Sequence, residues 1–319
     1  MKKQIISCIF FALAIFGQAQ NNVTWAEKLG FPKGKKVIIL HADDIGMCRE
    51  ANVAAEDYLA SGNIQSVAIM MPCPYAQEFI NWAKAHPKVD IGLHLTLTSE
   101  WKTYRWAPLM PKEEVPGLTD PEGKMWRSVQ EVVQHASAQE VEKEIRAQIE
   151  QSLAWGHRPD HIDTHMGTLY GDVSFVKVFL KVAEEYNIPA NAIDLSNPMV
   201  ANFYKDQGYP ITSEVIKLIE DYKLPKLDFF TSVPSAKTYD DKVKAFKALI
   251  GQLSSGLTEI IFHPSVKTEN LKTITNSWQQ RVWEAAMFND PDLKTFFEES
   301  GLIFTNWKEI MQRFEAMKQ

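Results

Sequence analysis

Short apolar, β-branched runs recur along the chain. Each is followed by a stretch in which apolar residues return every three or four positions. The runs cover 36–41, 66–71, 89–97, 161–164, 192–195, 227–231, 259–263 and 302–305. The amphipathic stretches include 52–61, 75–86, 138–155, 173–185, 212–222, 239–252 and 279–288. Period two reads as strand and period 3.6 as helix. Their alternation predicts a parallel sheet with crossover helices. Seven or eight such units favour a closed or nearly closed TIM-like (β/α) barrel over an open doubly wound sheet. No G-x-G-x-x-G follows the first strand, which counts against dinucleotide binding. Residues 98–127 break the rhythm, with Trp101, Tyr104, Trp106 and Trp126 among Pro and Gly. A loop of that length inside a compact domain reads as a lid or binding loop.

The first 20 residues stand apart. Lys2 and Lys3 precede an apolar run over 5–16 and the small, polar Gly17-Gln18-Ala19-Gln20. This is the pattern of a secretory signal peptide, too short for a spanning helix, with cleavage expected near Ala19 or Gln20. The expectation is a periplasmic or secreted protein whose residues 21–319 form one barrel domain carrying the inserted loop, with no membrane span left after cleavage. The formal net charge is −6, falling to about −8 without the two leader lysines. No basic patch stands out, so nucleic acid is not an expected partner. A homodimer is compatible with the sequence. Cys48 and Cys73 form either a disulfide or two buried thiols.

The polar residues that carry chemistry fall at the ends of strand runs. Asp43 and Asp44 close the first, His94 the third, and His263 a later one. His161, Asp163 and His165 form a fourth cluster, all on one face if that strand stays extended. In a barrel, strand tips from distant parts of the sequence surround one pocket. Two adjacent carboxylates repel unless a cation or hydrogen bonds hold them ionised. One of them, with His94 and His165, makes a familiar divalent-metal set with open positions. The second carboxylate is then a base for water, and a histidine on the opposite wall an acid for a leaving group. Blander readings stand beside these. Asp43 and Asp44 suit a helix N-cap, His94 a buried core histidine, and the 161–165 cluster an exposed strand edge. Trp101 and Trp106 suit stacking on sugar rings or a small core that pins the loop.

Together these residues resemble the YdjC-like carbohydrate deacetylases. The matching elements are Ala42-Asp43-Asp44-Ile45-Gly46, Gly92-Leu93-His94-Leu95-Thr96, Pro159 to His165, and Glu259 to Pro264 followed by Arg281 and Glu284. The resemblance runs from about Lys35 to Ile310. It implies a distorted parallel (β/α) barrel of about seven strands and one divalent metal, with Zn and Mg the leading candidates, held by Asp44, His94 and His165. It makes Asp43 the general base and His263 the acid or oxyanion partner. Substrate contacts are expected from His161, Asp163, Trp101, Trp106 and Arg281. The implied activity is removal of an acetyl group, N-acetyl foremost, from a carbohydrate by metal-activated water. The chain departs from the family at Met166-Gly167-Thr168-Leu169-Tyr170, where further histidines are usual, at Ile45 in place of Phe, and at Ser265 in place of Gly. Two other readings compete. One is a metal-dependent phosphoesterase or glycosidase, although no strand run ends in Lys or Arg. The other is a glycan-binding barrel without turnover.

Overall fold

The computed structural model describes residues 23–318. The expected leader lies outside the described residues. The sheet is built from β1 (Lys36–Ile45), β2 (Ser66–Ile69), β3 (Asp90–Leu95), β4 (Ile162–Thr164), β5 (Phe229–Ser232), β6 (Gly256–Phe262) and β7 (Ile303–Phe304). Its order is β4-β3-β2-β1-β6-β5, with β7 paired to the start of β1. Every pairing is parallel. This is the α/β parallel barrel expected from the alternation. β1 lies at the centre and is buried from Val37 to Ile45, as its unbroken apolar start requires.

The seam between β4 and β5 is where pattern and structure part. The strand expected over 192–195 is reduced to single bridges, Ile162 with Ala190 and Ile193 with Leu227. The backbone turns sharply there, with Ala192 N–H donating to Ala190 O at 2.7 Å. Only one residue at a time reaches a neighbour, so the barrel closes by bridges rather than by a ladder.

The helices follow the amphipathic stretches closely. Val173–Tyr186 is capped by the Asp172 side chain, which accepts from Ser174 N, and ends at Asn187 in the left-handed region. It buries Phe175, Val176, Phe179, Leu180 and Ala183 against the barrel. Burying one such Phe is worth about 1.5–3 kcal/mol. Phe179→Ala would cost about 3–5 kcal/mol once the cavity is counted. Ala138–Ala154 begins with a reciprocal capping box between Ser137 and Glu140. Among the described residues no helix is long and apolar enough to cross a membrane.

The long 98–127 segment is fastened rather than loose. Arg105 holds Asp120 at 2.7 Å and the Met125 carbonyl, and Tyr104 donates to Met47 O at 2.8 Å. The buried Glu144 carboxylate accepts from the backbone N–H of Leu109 and Met110 at 3.0 and 2.9 Å. Burial pushes Glu144 up to about 7 against the pull of these donors.

Candidate metal centre and active site

In a regular strand, Asp43 and Asp44 would point to opposite faces. They do not, because β1 carries a bulge. Ala42 pairs with Val67 and Ile45 with Ile69, so β1 spends one extra residue between them. Asp44 takes the slack at φ 62°, in the left-handed region that short polar residues tolerate. Gly46 follows at φ 83°, where a Cβ would come within 2.9 Å of Ala76 Cα. The bulge turns both carboxylates toward the mouth of the barrel.

His94 arrives from β3 and His165 from just beyond β4. There the strand stops at Thr164, and the chain turns through Met166 and Gly167 at φ 56° and 66°. One Asp44 oxygen, Oδ1, lies 3.5 Å from His94 Nε2 and 3.3 Å from His165 Nδ1. The three groups are buried, and their donor atoms all fall within 4.8 Å of one another. Asp44 Oδ1 accepts no hydrogen bond, a costly state for a buried carboxylate oxygen unless a cation sits beside it. The histidines are oriented from behind. His94 Nδ1 is 2.6 Å from Asp163 Oδ1, and His165 Nε2 is 3.1 Å from Glu100 Oε2. Metal-binding imidazoles are held in this way, the far nitrogen donating to a carboxylate while the near one keeps its lone pair. The donor set therefore fits a divalent metal.

The electrostatics agree. Burial alone would raise the Asp44 carboxyl, but Arg281, His263 and His165 outweigh it and hold it well below the ordinary carboxylate range. Arg281 Nη2 is 2.6 Å from Asp44 Oδ2, leaving Oδ1 to face the histidines. Burial opposes protonation of His165, yet Glu100 and Asp44 raise it to about 10. Surroundings that draw a proton this strongly would hold a cation in its place.

Asp43 lies beside the triad, buried, with His263 Nε2 3.9 Å from its Oδ2. The His263 side chain is 36% exposed, far more open than the 2–5% of Asp44, His94 and His165. Its backbone N–H is fixed by Glu284 at 2.7 Å. Arg281 and Glu284, three apart in helix Trp278–Met287, thus hold two parts of the site from one helix face.

The expected substrate contacts are distributed differently. His161 is fully buried inside the barrel, stacked on Trp307 at 5.7 Å and 3.2 Å from Asp90. It has no opening to the cleft. Asp163, 2% exposed, is occupied by His94 and His41 rather than facing outward. Alternation correctly puts both on the inward face, but interior partners take both up. Trp106 is 4% exposed, donates to Thr98 O at 2.9 Å and packs edge-on to His165, so it pins the loop to the site. Trp101 is half-buried and lies over Arg281 at 5.6 Å. Arg281 is buried against Asp44. Sequence reasoning misses Glu100 and leaves His41 either facing the same rim or just preceding the turn. Glu100 sits in the aperiodic loop, and its only sequence signal is its place six residues past His94. Cys48 and Cys73 are free, buried thiols.

Residues 37–299 match the family described as YdjC-like protein, most of the described chain. The chain belongs to the YdjC-like family. That match takes in Asp43, Asp44, His94, His165, His263 and Arg281. This YdjC-like chain is 25% identical over 274 residues to a carbohydrate deacetylase of Thermoanaerobacter pseudethanolicus, covering 85% of this chain and 98% of that protein. It is 28% identical over 275 residues to a carbohydrate deacetylase of Thermus thermophilus, covering 86% and 93%. A crystallised Enterococcus faecalis V583 protein, described as a candidate for cellobiose-phosphate cleavage, shares the fold with a TM-score of 0.71. It is 24% identical and covers 86% of this chain and 99% of its own.

Proposed function

We propose that this chain is an exported carbohydrate deacetylase working with one divalent metal held by Asp44, His94 and His165. The observation that carries the reading is the convergence of three donor atoms, one of them a buried carboxylate oxygen without a hydrogen bond, from three strand ends. The carbohydrate deacetylases among its relatives support the reaction class. A divalent ion in this position would supply Lewis acidity, easing loss of a proton from water and polarising the acetyl carbonyl.

The residues of the chain do the rest. Asp43 takes the proton as the water oxygen bonds to the acetyl carbon. His263, the most open of the site's titratable groups, gives a proton to the sugar nitrogen as the C–N bond breaks, releasing acetate and the free amine. Arg281 keeps Asp44 ionised, while Asp163 and Glu100 hold the two imidazoles in register. Half-buried Trp101 at the rim is suited to the apolar face of a sugar ring. The basic, then apolar, N-terminal pattern supports export, so the substrate would be an acetylated glycan outside the cytoplasm.

The test is release of acetate from N-acetylated and O-acetylated oligosaccharides, with phosphate and reducing ends followed in parallel. Acetate release should cease with chelator and return with added metal. Undiminished release by Asp44→Asn would overturn the ligand assignment, and phosphate or new reducing ends without acetate would overturn the reaction.

A further inference from the structure

Behind the mouth of the barrel lies a residue to which neither the motifs nor the proposed reaction gives a part. His41 is fully buried on β1, two residues before Asp43 and on the same inward face. Its hydrogen-bond partners determine its protons. Nδ1 lies 2.9 Å from Ser66 Oγ. The single Ser66 hydroxyl proton goes to Asp90 Oδ1. Toward His41, then, Ser66 can only accept, and Nδ1 is the donor. On the other side, Nε2 lies 3.0 Å from Asp163 Oδ2 and 3.1 Å from Asp43 Oδ1. Asp163 already accepts from His94 Nδ1 through its other oxygen. Ionised carboxylates only accept, so Nε2 carries a proton as well. With both ring nitrogens donating, the imidazole is a cation.

We infer that His41 is a buried imidazolium that positions the Asp43 carboxylate and, through Asp163, the His94 ring. Its ion pair with Asp43 matters because Asp43 Oδ1 accepts no hydrogen bond. Charge therefore holds that oxygen toward the interior. The hydrogen bond to Asp163 matters because Asp163 is the group that orients His94. One ring thus ties the expected base to the expected ligand.

The titratable and charged groups around His41 come from four strands, and Ser66 is its polar contact on β2. They are Asp43 on β1, Asp163 on β4 with His161 just before it, and Glu259 on β6, with two β3 groups one step removed, Asp90 behind Ser66 and His94 behind Asp163. The His161 ring meets His41 edge-on at 4.9 Å. Burial disfavours the His41 charge, but Glu259, Asp163 and Asp43 outweigh it.

The kinetic arm of the test rests on the deacetylase reading, and the spectroscopic arm does not. Ring-nitrogen NMR of the metal-loaded full chain, with His41 assigned by His41→Gln, should show both His41 nitrogens protonated across neutral pH. A neutral His41 overturns the inference, whether or not any acetate is released. His41→Gln keeps a donor toward Asp163 but loses the charge beside Asp43, and His41→Phe loses both. Both variants should lower kcat roughly tenfold or more with KM unchanged. Only His41→Phe should weaken metal binding, by roughly tenfold. Wild-type kcat in His41→Gln overturns the inference. Metal analysis should find one ion per chain. His41, His161 and Asp163 also come within 4.8 Å of one another, so a second ion that disappears in His41→Gln would likewise overturn it.

Discussion

The mouth of the barrel and the layer beneath it are built from the same two residue types, arranged to opposite ends. At the mouth, Asp44 Oδ1, His94 Nε2 and His165 Nδ1 point at one another, and the carboxylate oxygen is left without a hydrogen bond. Behind them, His41 and Asp163 are taken up by each other, by Ser66 and by His94. Deeper still, Asp90 accepts from Ser66 and from Lys308 N, and Glu259 accepts from Trp307 Nε1 at 2.8 Å. The deeper layer keeps deficits of its own, at both His161 ring nitrogens and at Glu259 Oε1, but most of its groups are paired with one another, which makes a buried polar layer rigid. Depth along the strand, not residue type, separates the two.

Substitutions graded by depth can break this contrast. Asp44→Asn, which keeps the backbone and removes the charge, should abolish stoichiometric metal binding and cut acetate release by roughly 10³-fold or more. Metal analysis alongside activity checks both. Asp163→Asn leaves the triad intact but loosens His94, so metal affinity should fall about 10- to 100-fold by competition titration. Glu100→Gln acts on His165 from a side chain that is 20% exposed, so its effect should stay under roughly tenfold. His161→Phe should lower Tm by about 2–6 °C yet leave kcat within about threefold. If it abolished turnover in a folded protein, the two layers would not be distinct. The smallest effect concerns the fastened loop. Glu144, raised to about 7 in the fold from an ordinary 4.5, binds its proton more readily folded than unfolded. Stability should therefore fall as pH rises from about 5 through 7 and level off above. Glu144→Gln should flatten that slope in thermal melts over the same range.

Much of this architecture was legible because periodicity reports burial directly. The runs at 36–41, 66–71 and 259–263 are strands, and the helix at 239–252 matches residue for residue. The resemblance indicated which strand-tip residues to compare, and the structure brings Asp44, His94 and His165 together. What periodicity does not report is depth or irregularity. It puts His161 and Asp163 on the inward face without saying that neither is open to the cleft. It has no sign for the extra residue between Ala42 and Ile45, since a bulge disrupts alternation only locally. Glu100 was hidden because a loop has no period to be read. The run at 192–195 looked like a strand because a segment bridging single residues across a seam has the same composition as a paired one.

The bulge has a consequence for anyone who would rebuild this centre. Because residue 44 sits at φ 62°, its side chain is chosen by the backbone before any ion has a say. A longer acid or a thiol there would meet a torsional penalty unrelated to coordination. Transplanting the pair of aspartates into an unbroken strand would send one of them outward. To move this chemistry to another scaffold, the irregularity has to travel with the ligands.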